Sequence, residues 1–202
     1  MMIWINGAFG AGKTTLAEEL HRRLPDALPF DPEYVGFILT RWVPRPESGD
    51  FQDIPLWRRL VAEFAIGMSA DYGRPLIIPM TLVNPVHREE IFGQISGAGE
   101  LVLHVFLDVP AEELRRRIDA QVLDEDDAEA DASARAFRHR NVERCSAARA
   151  ELPPSTLILR GDQHTPAELA DLVIRDLREP PAVTTAAVAA TGDMPELDVP
   201  VT

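Results

Sequence analysis

Eight residues near the start of the chain, Gly7-Ala8-Phe9-Gly10-Ala11-Gly12-Lys13-Thr14, follow the pattern G-x-x-x-x-G-K-S/T. The flanking segments decide what the pattern means. Met2-Ile3-Trp4-Ile5-Asn6 is an apolar run suited to a buried strand, and Thr14-Thr15-Leu16-Ala17-Glu18-Glu19-Leu20 opens an amphipathic helix. Strand, glycine-rich loop and helix in that order make a cradle for phosphate, and they commit the chain to an α/β architecture.

Wrapping a loop around a triphosphate aims several backbone N–H groups at one anion, in dihedrals that a Cβ atom obstructs. Gly7, Gly10 and Gly12 relieve that constraint, and Ala8, Phe9 and Ala11 complete the nucleotide-binding backbone. The unpaired donors and partial positive charge of the helix N-terminus attract phosphate as well. Lys13 adds a full charge near the β- and γ-phosphates. The Thr14 hydroxyl is placed to ligate Mg²⁺, and Thr15 to hold the first helical turn or an α-phosphate oxygen.

Apolar periodicity divides the rest into alternating elements. Strands are expected at 28–30, 76–80, 101–107 and 156–159, and helices at about 13–24, 32–39, 54–72, 85–96, 110–121, 133–149 and 165–177. Asp31-Pro32 and Asn84-Pro85 each look like a cap followed by the proline of a first helical turn. Regular alternation implies a parallel sheet covered on both faces, with the loops after the strands gathered at the phosphate-binding edge. At 202 residues the chain suits one domain, 1–179, followed by a disordered tail, 180–202.

Composition narrows the partners. A formal net charge of −13 argues against nucleic acid, whose backbone is bound by clustered Lys and Arg. Cys145 is the single cysteine, which fits a reducing cytoplasm. No apolar run approaches the roughly 20 residues of a membrane helix, so a soluble monomer or homodimer is expected. The five His residues show no metal-ligand spacing, and Cys145 reads as a small buried hydrophobe.

Asp31 and Glu33 end the second strand on the edge where the loop presents a γ-phosphate. A carboxylate there orients Mg²⁺ through water or accepts the proton of an attacking hydroxyl; Asp31 also suits helix capping, and Glu33 a solvated first turn. Arg41, Gln52, Asp53 and Trp57 are candidate lining for an acceptor pocket, although Trp57 fits a core equally well. The segment after the third strand, Thr81-Leu82-Val83-Asn84, lacks the acid that many phosphate-binding loops find there. Thr81 is the nearest polar candidate on the substrate side, with Asp108 after the fourth strand a weaker one.

Phosphoryl transfer spreads negative charge over the migrating group, so such sites recruit Arg from a mobile cover. Arg115-Arg116-Arg117 lies on one helix and Arg135, Arg138, Arg140 and Arg144 on the next, joined across an acidic run, 123–131, that reads as solvated loop. The pair looks like a lid, with Arg138 and Arg144 among its cations.

Four segments agree in order with one family: Met2 to Gly10, Phe30-Asp31-Pro32-Glu33, Asp50 to Arg58, and Ile78 to Pro85. Through them the chain resembles the tunicamycin-resistance ATP-binding proteins over residues 1–177. The resemblance implies a three-layer P-loop fold of nucleotide-kinase type, with a five-stranded parallel sheet in the order 2-3-1-4-5. It also implies a helical lid, about 117–145, that Arg117 begins and Asn141 to Cys145 closes. Gln121 stands where related kinases often carry a second lid Arg.

The expected activity is transfer of phosphoryl from ATP, with Mg²⁺, to a hydroxyl of a small-molecule acceptor, using Lys13, Asp31 and Arg117. Resistance to a nucleoside-type antibiotic such as tunicamycin is the expected outcome. The alternatives are a nucleotide-dependent protein that sequesters a drug unmodified, and a nucleoside monophosphate kinase.

Overall fold

A computed structural model describes residues 1–122 and 126–178. The expected tail, the last residue of the expected domain and part of the acidic run lie outside them.

The central strand β1 (Met2–Gly7) is buried along its whole length. Successive side chains of a strand point to opposite faces, and here helices cover both. Ile3 and Ile5 enter one core with Leu16 and Leu20 of α1 (Lys13–Arg23), Leu114 of α5 (Ala111–Ala120), Val142 of α6 (Ala128–Ala147) and Val173 of α7 (Pro166–Arg178). Met2 and Trp4 enter the other with Val35 of α2 (Glu33–Leu39), Val61 of α3 (Pro55–Tyr72) and Ile91 of α4 (Pro85–Gly97).

Strands β2 (Leu28–Pro29), β3 (Leu76–Pro79), β4 (Val102–Asp108) and β5 (Leu157–Arg160) complete a parallel sheet in the order β2-β3-β1-β4-β5, as expected. Pro79 is the last residue of β3, where its missing N–H interrupts little of the ladder. Asn84 caps α4 by accepting the Val86 N–H at 2.9 Å. The phosphate-binding loop therefore leaves the middle of the sheet, flanked by the loops after β2 and β3 on one side and β4 and β5 on the other.

Two local expectations are corrected. Helix α6 starts at Ala128, so the second half of the acidic run is helix: Asp127 accepts the N–H groups of Glu129 and Ala130, and acids in a first turn suit the helix dipole. A 3₁₀ turn at Phe51–Asp53, capped by the Asp50 side chain, stands before α3 where no element was expected. No helix among the described residues is long and apolar enough to cross a membrane.

Candidate active site

The loop between β1 and α1 is held open by its glycines. Gly7 has φ 140°, and a Cβ there would meet the Leu107 carbonyl oxygen at 2.9 Å; Gly12, which precedes α1, has φ 98°. Lys13 folds back over the loop, its Nζ donating to the Ala8 carbonyl at 2.9 Å and standing 5.6 Å from the Phe9 ring centroid. Burial pushes this ammonium down from 10.5 to about 8, with the negative charge of Glu33 the largest opposing influence. Thr14 and Thr15 are exposed at the first turn of α1.

Asn6 fixes the floor. Its Oδ1 accepts the N–H groups of Gly7 and Leu82, both at 2.8 Å, while its Nδ2 donates to the Leu82 carbonyl at 2.7 Å and lies 3.1 Å from His104 Nε2. Thr81 adds a second tie, its hydroxyl donating to the Gly7 carbonyl at 2.9 Å. The Gln52 side chain then donates to the Thr81 carbonyl at 2.8 Å, linking the 3₁₀ turn to the same segment.

Asp31 and Glu33 come together beside Lys13. Asp31 Oδ1 accepts the Glu33 N–H at 2.9 Å, so Asp31 orders the start of α2 and fronts the loop at once. Burial raises the carboxyl pKa of Asp31, against the Glu33 N–H and the Lys13 charge. Burial and then the neighbouring Asp31 charge raise that of Glu33. Two carboxylates and one ammonium, each shifted toward its neutral form, are what a partly closed polar site produces.

The arginines of α5 and α6 divide by direction. Arg117 points at the loop, with Nη1 3.4 Å from the Gly10 carbonyl and Nη2 donating to the Gly161 carbonyl at 3.0 Å. Arg138 lies over the Phe9 ring at 5.7 Å, donates to Gln121 Oε1 at 2.8 Å, and its charge reaches both Lys13 and Glu33. Phe137 packs edge-on against Phe9, at 5.7 Å between centroids. Arg115 pairs with Glu143 and Arg144 with Asp50, while Arg116 and Arg117 share Glu113. Cys145 is fully buried against the loop, held by the Phe9 N–H.

The acceptor-side candidates fall into buried supports and surface groups. Trp57 is 0% exposed and its Nε1 donates to the Pro32 carbonyl at 3.1 Å, so the indole is core, packed on Phe51. Thr81 is buried with its hydroxyl engaged, which makes it a support of the loop rather than a substrate contact. Gln52 is likewise buried, with its amide N–H already donated to Thr81. Asp53 accepts from Ser48 at the surface, and Arg41 is exposed after α2. Asp108 ion-pairs with Arg149 at 3.2 Å. Among the described residues no group of three or more His, Cys, Asp or Glu side chains converges as a metal site. The residue that sequence reading underused is Asn6; its signal was a polar side chain closing an otherwise apolar strand.

Comparison with known proteins agrees with this geometry. The tunicamycin resistance protein of Deinococcus radiodurans is 23% identical and superposes with a TM-score of 0.62 over 87% of this chain and 94% of that one. A sugar kinase from Janibacter sp. HTCC2649 is 20% identical, with a TM-score of 0.63 over 92% and 98% of the two chains. The APS kinase of Mycobacterium tuberculosis, in complex with AMPPNP and APS, is 19% identical, with a TM-score of 0.59 over 88% and 97%. At these identities the likeness is one of fold. No curated protein matches the chain by sequence. A family model described as AAA domain matches residues 2–145, and the chain belongs to that family of P-loop proteins, with a kinase-like fold.

Proposed function

We propose that the chain is an ATP-dependent kinase that transfers the γ-phosphoryl group to a hydroxyl of a small molecule. The observation that carries this reading is the Asp31–Glu33 pair set against Lys13 on the acceptor side of the loop. A switch or motor needs only a positioned water there, whereas a base next to an enclosed acceptor site serves transfer to an alcohol.

Asp31 Oδ1 is occupied by the Glu33 N–H, which leaves the second oxygen for the acceptor hydroxyl. That oxygen takes the hydroxyl proton as the hydroxyl oxygen attacks the γ-phosphorus; the bond from phosphorus to the β,γ-bridging oxygen breaks, and ADP leaves. Lys13 and Arg138 offset charge on the migrating group, and Arg117 braces the loop through Gly10. The lid is the α5–α6 pair, about residues 117–145, as part of a domain spanning 1–179. The exposed Thr14 hydroxyl would be the protein's ligand for a nucleotide-borne Mg²⁺, whose charge would offset that of the phosphates.

The test is a screen with Mg-ATP and mass spectrometric detection of products heavier by one phosphoryl group. Tunicamycin and nucleosides test the resistance role; sugars, hydroxy acids and their phosphate esters test the others. ADP released with no such product across the panel, and equal drug binding by wild type and Asp31→Asn, would replace transfer by sequestration.

A further inference from the structure

Between the start of α4 and the end of α6 lies a pocket of ≈ 310 Å³. Val83 and Pro85 line it from one side and Ala147 and Ala148 from the other, while Arg144 and Glu151 supply its charges. The pocket adjoins the phosphate loop. Cys145, one residue past Arg144, is packed against Phe9 and feels the Lys13 charge; a step of about 100° around the helix turns Arg144 onto the neighbouring face. Val83 continues the segment whose Thr81 hydroxyl holds Gly7.

In a chain of net charge −13, Arg144 is the cation that lines this pocket, opposite the carboxylate of Glu151. The Arg144 side chain is half exposed, and its Nη2 stands 3.3 Å from Asp50 Oδ2, long against the roughly 2.8 Å of a good charge-assisted bond. Arg88 of α4 is 2% exposed; its Nη2 donates to the Glu151 carbonyl at 2.9 Å, while Nη1 has no hydrogen bond among the described residues. Ser146 Oγ of α6 is also buried without one. Both groups sit on the helices that build the pocket, behind its lining rather than in it.

We propose that this pocket anchors the acceptor, and that the acceptor is a small hydroxylated organic acid whose carboxylate is clamped by Arg144. The proposal rests on the kinase reading above. A bidentate carboxylate–guanidinium pair outcompetes the long Asp50 contact, and the apolar walls take the carbon chain as the hydroxyl extends toward Asp31. A phosphate ester would bring a second negative charge against Glu151, and a neutral alcohol would leave Arg144 on its long Asp50 contact.

The test pairs binding with turnover. Sugar acids, the matching neutral sugars and nucleosides, and sugar phosphates are titrated calorimetrically into protein saturated with a non-hydrolysable ATP analogue; the same panels are assayed with Mg-ATP. Acids should bind and gain a phosphoryl group. Arg144→Gln should raise their KM about 10- to 100-fold, with the loss falling on KM rather than kcat, and Arg144→Lys should recover part of it. Acids that bind through Arg144 without turnover would leave the pocket standing and overturn the kinase reading. Neutral acceptors, tunicamycin included, or phosphate esters turned over as well as acids would do the reverse. No binding by the acids, or an Arg144→Gln protein with intact KM, overturns the proposal.

Discussion

Replacing Lys13 by Met should make the protein more stable at neutral pH while destroying its use of ATP. The folded state holds the Lys13 ammonium at about 8 where the unfolded chain holds it at 10.5, and burial is the main cause. A group whose folded pKa is depressed binds fewer protons folded than unfolded between those two values, so stability rises with pH across that window and is flat outside it. At about 1.4 kcal/mol per unit, the shift is worth about 3 kcal/mol. Lys13 keeps some solvent contact, which trims the figure to about 2 kcal/mol. Met keeps the aliphatic length without the charge. The melting temperature of Lys13→Met should therefore exceed that of wild type by about 4–8 °C below pH 8, and the gap should close by about pH 10.5. Calorimetric melts of both proteins from pH 6 to 10.5 measure it. Saturating ATP should invert the order, since ligand at about 100 times its Kd stabilises wild type by about 2.7 kcal/mol. A gap independent of pH, or one that widens as pH rises, would refute the claim that the loop holds a desolvated ammonium.

Three further outcomes follow from the geometry. Asp31→Asn should lower kcat about 100- to 10,000-fold and leave the melting temperature within a few degrees, because the amide oxygen still accepts the Glu33 N–H; steady-state kinetics with calorimetry check both. The pH profile of kcat/KM for ATP should fall above about 8, as Lys13 loses its proton, and fall on the acid side at a pKa above the ordinary aspartate value; Asp31→Asn should abolish the acid limb alone. Gly7→Ala should cost about 2–3 kcal/mol in urea unfolding, because φ 140° strains an L side chain and the new methyl meets the Leu107 carbonyl at 2.9 Å.

The donor half of the site was legible because its demands are local. Gly7, Gly12 and Lys13 are dictated by neighbours within a few residues, and the apolar run before them could only be a buried strand. The sheet order followed from resemblance, and the parallel pairing from alternation. The acceptor half was hidden because its side chains are chosen by distant packing. Nothing near Trp57 in sequence says that Pro32 will take its indole N–H, and nothing near Gln52 says that Thr81 will take its amide. The start of α6 was missed for a different reason: its first turns are alanine and acid, with no apolar period, and it is the Asp127 cap that begins the helix.

Asn6 has a consequence for how the site moves. β3 ends at Pro79 while β1 runs on to Gly7; beyond the Met80 N–H, which donates to the Ile5 carbonyl at 3.0 Å, side chains take over the joint. The Asn6 carboxamide substitutes for the missing peptide group, giving and taking hydrogen bonds with Leu82 as a strand neighbour would. The donor loop and the segment leading into the acceptor pocket thus share one anchor, and neither shifts without breaking several buried bonds together. On the other side of the cleft the contacts with the loop are made by side chains of α5 and α6: Arg117 on the Gly10 carbonyl, and Phe137 and Arg138 on the Phe9 ring. The molecule is a vice with one fixed jaw.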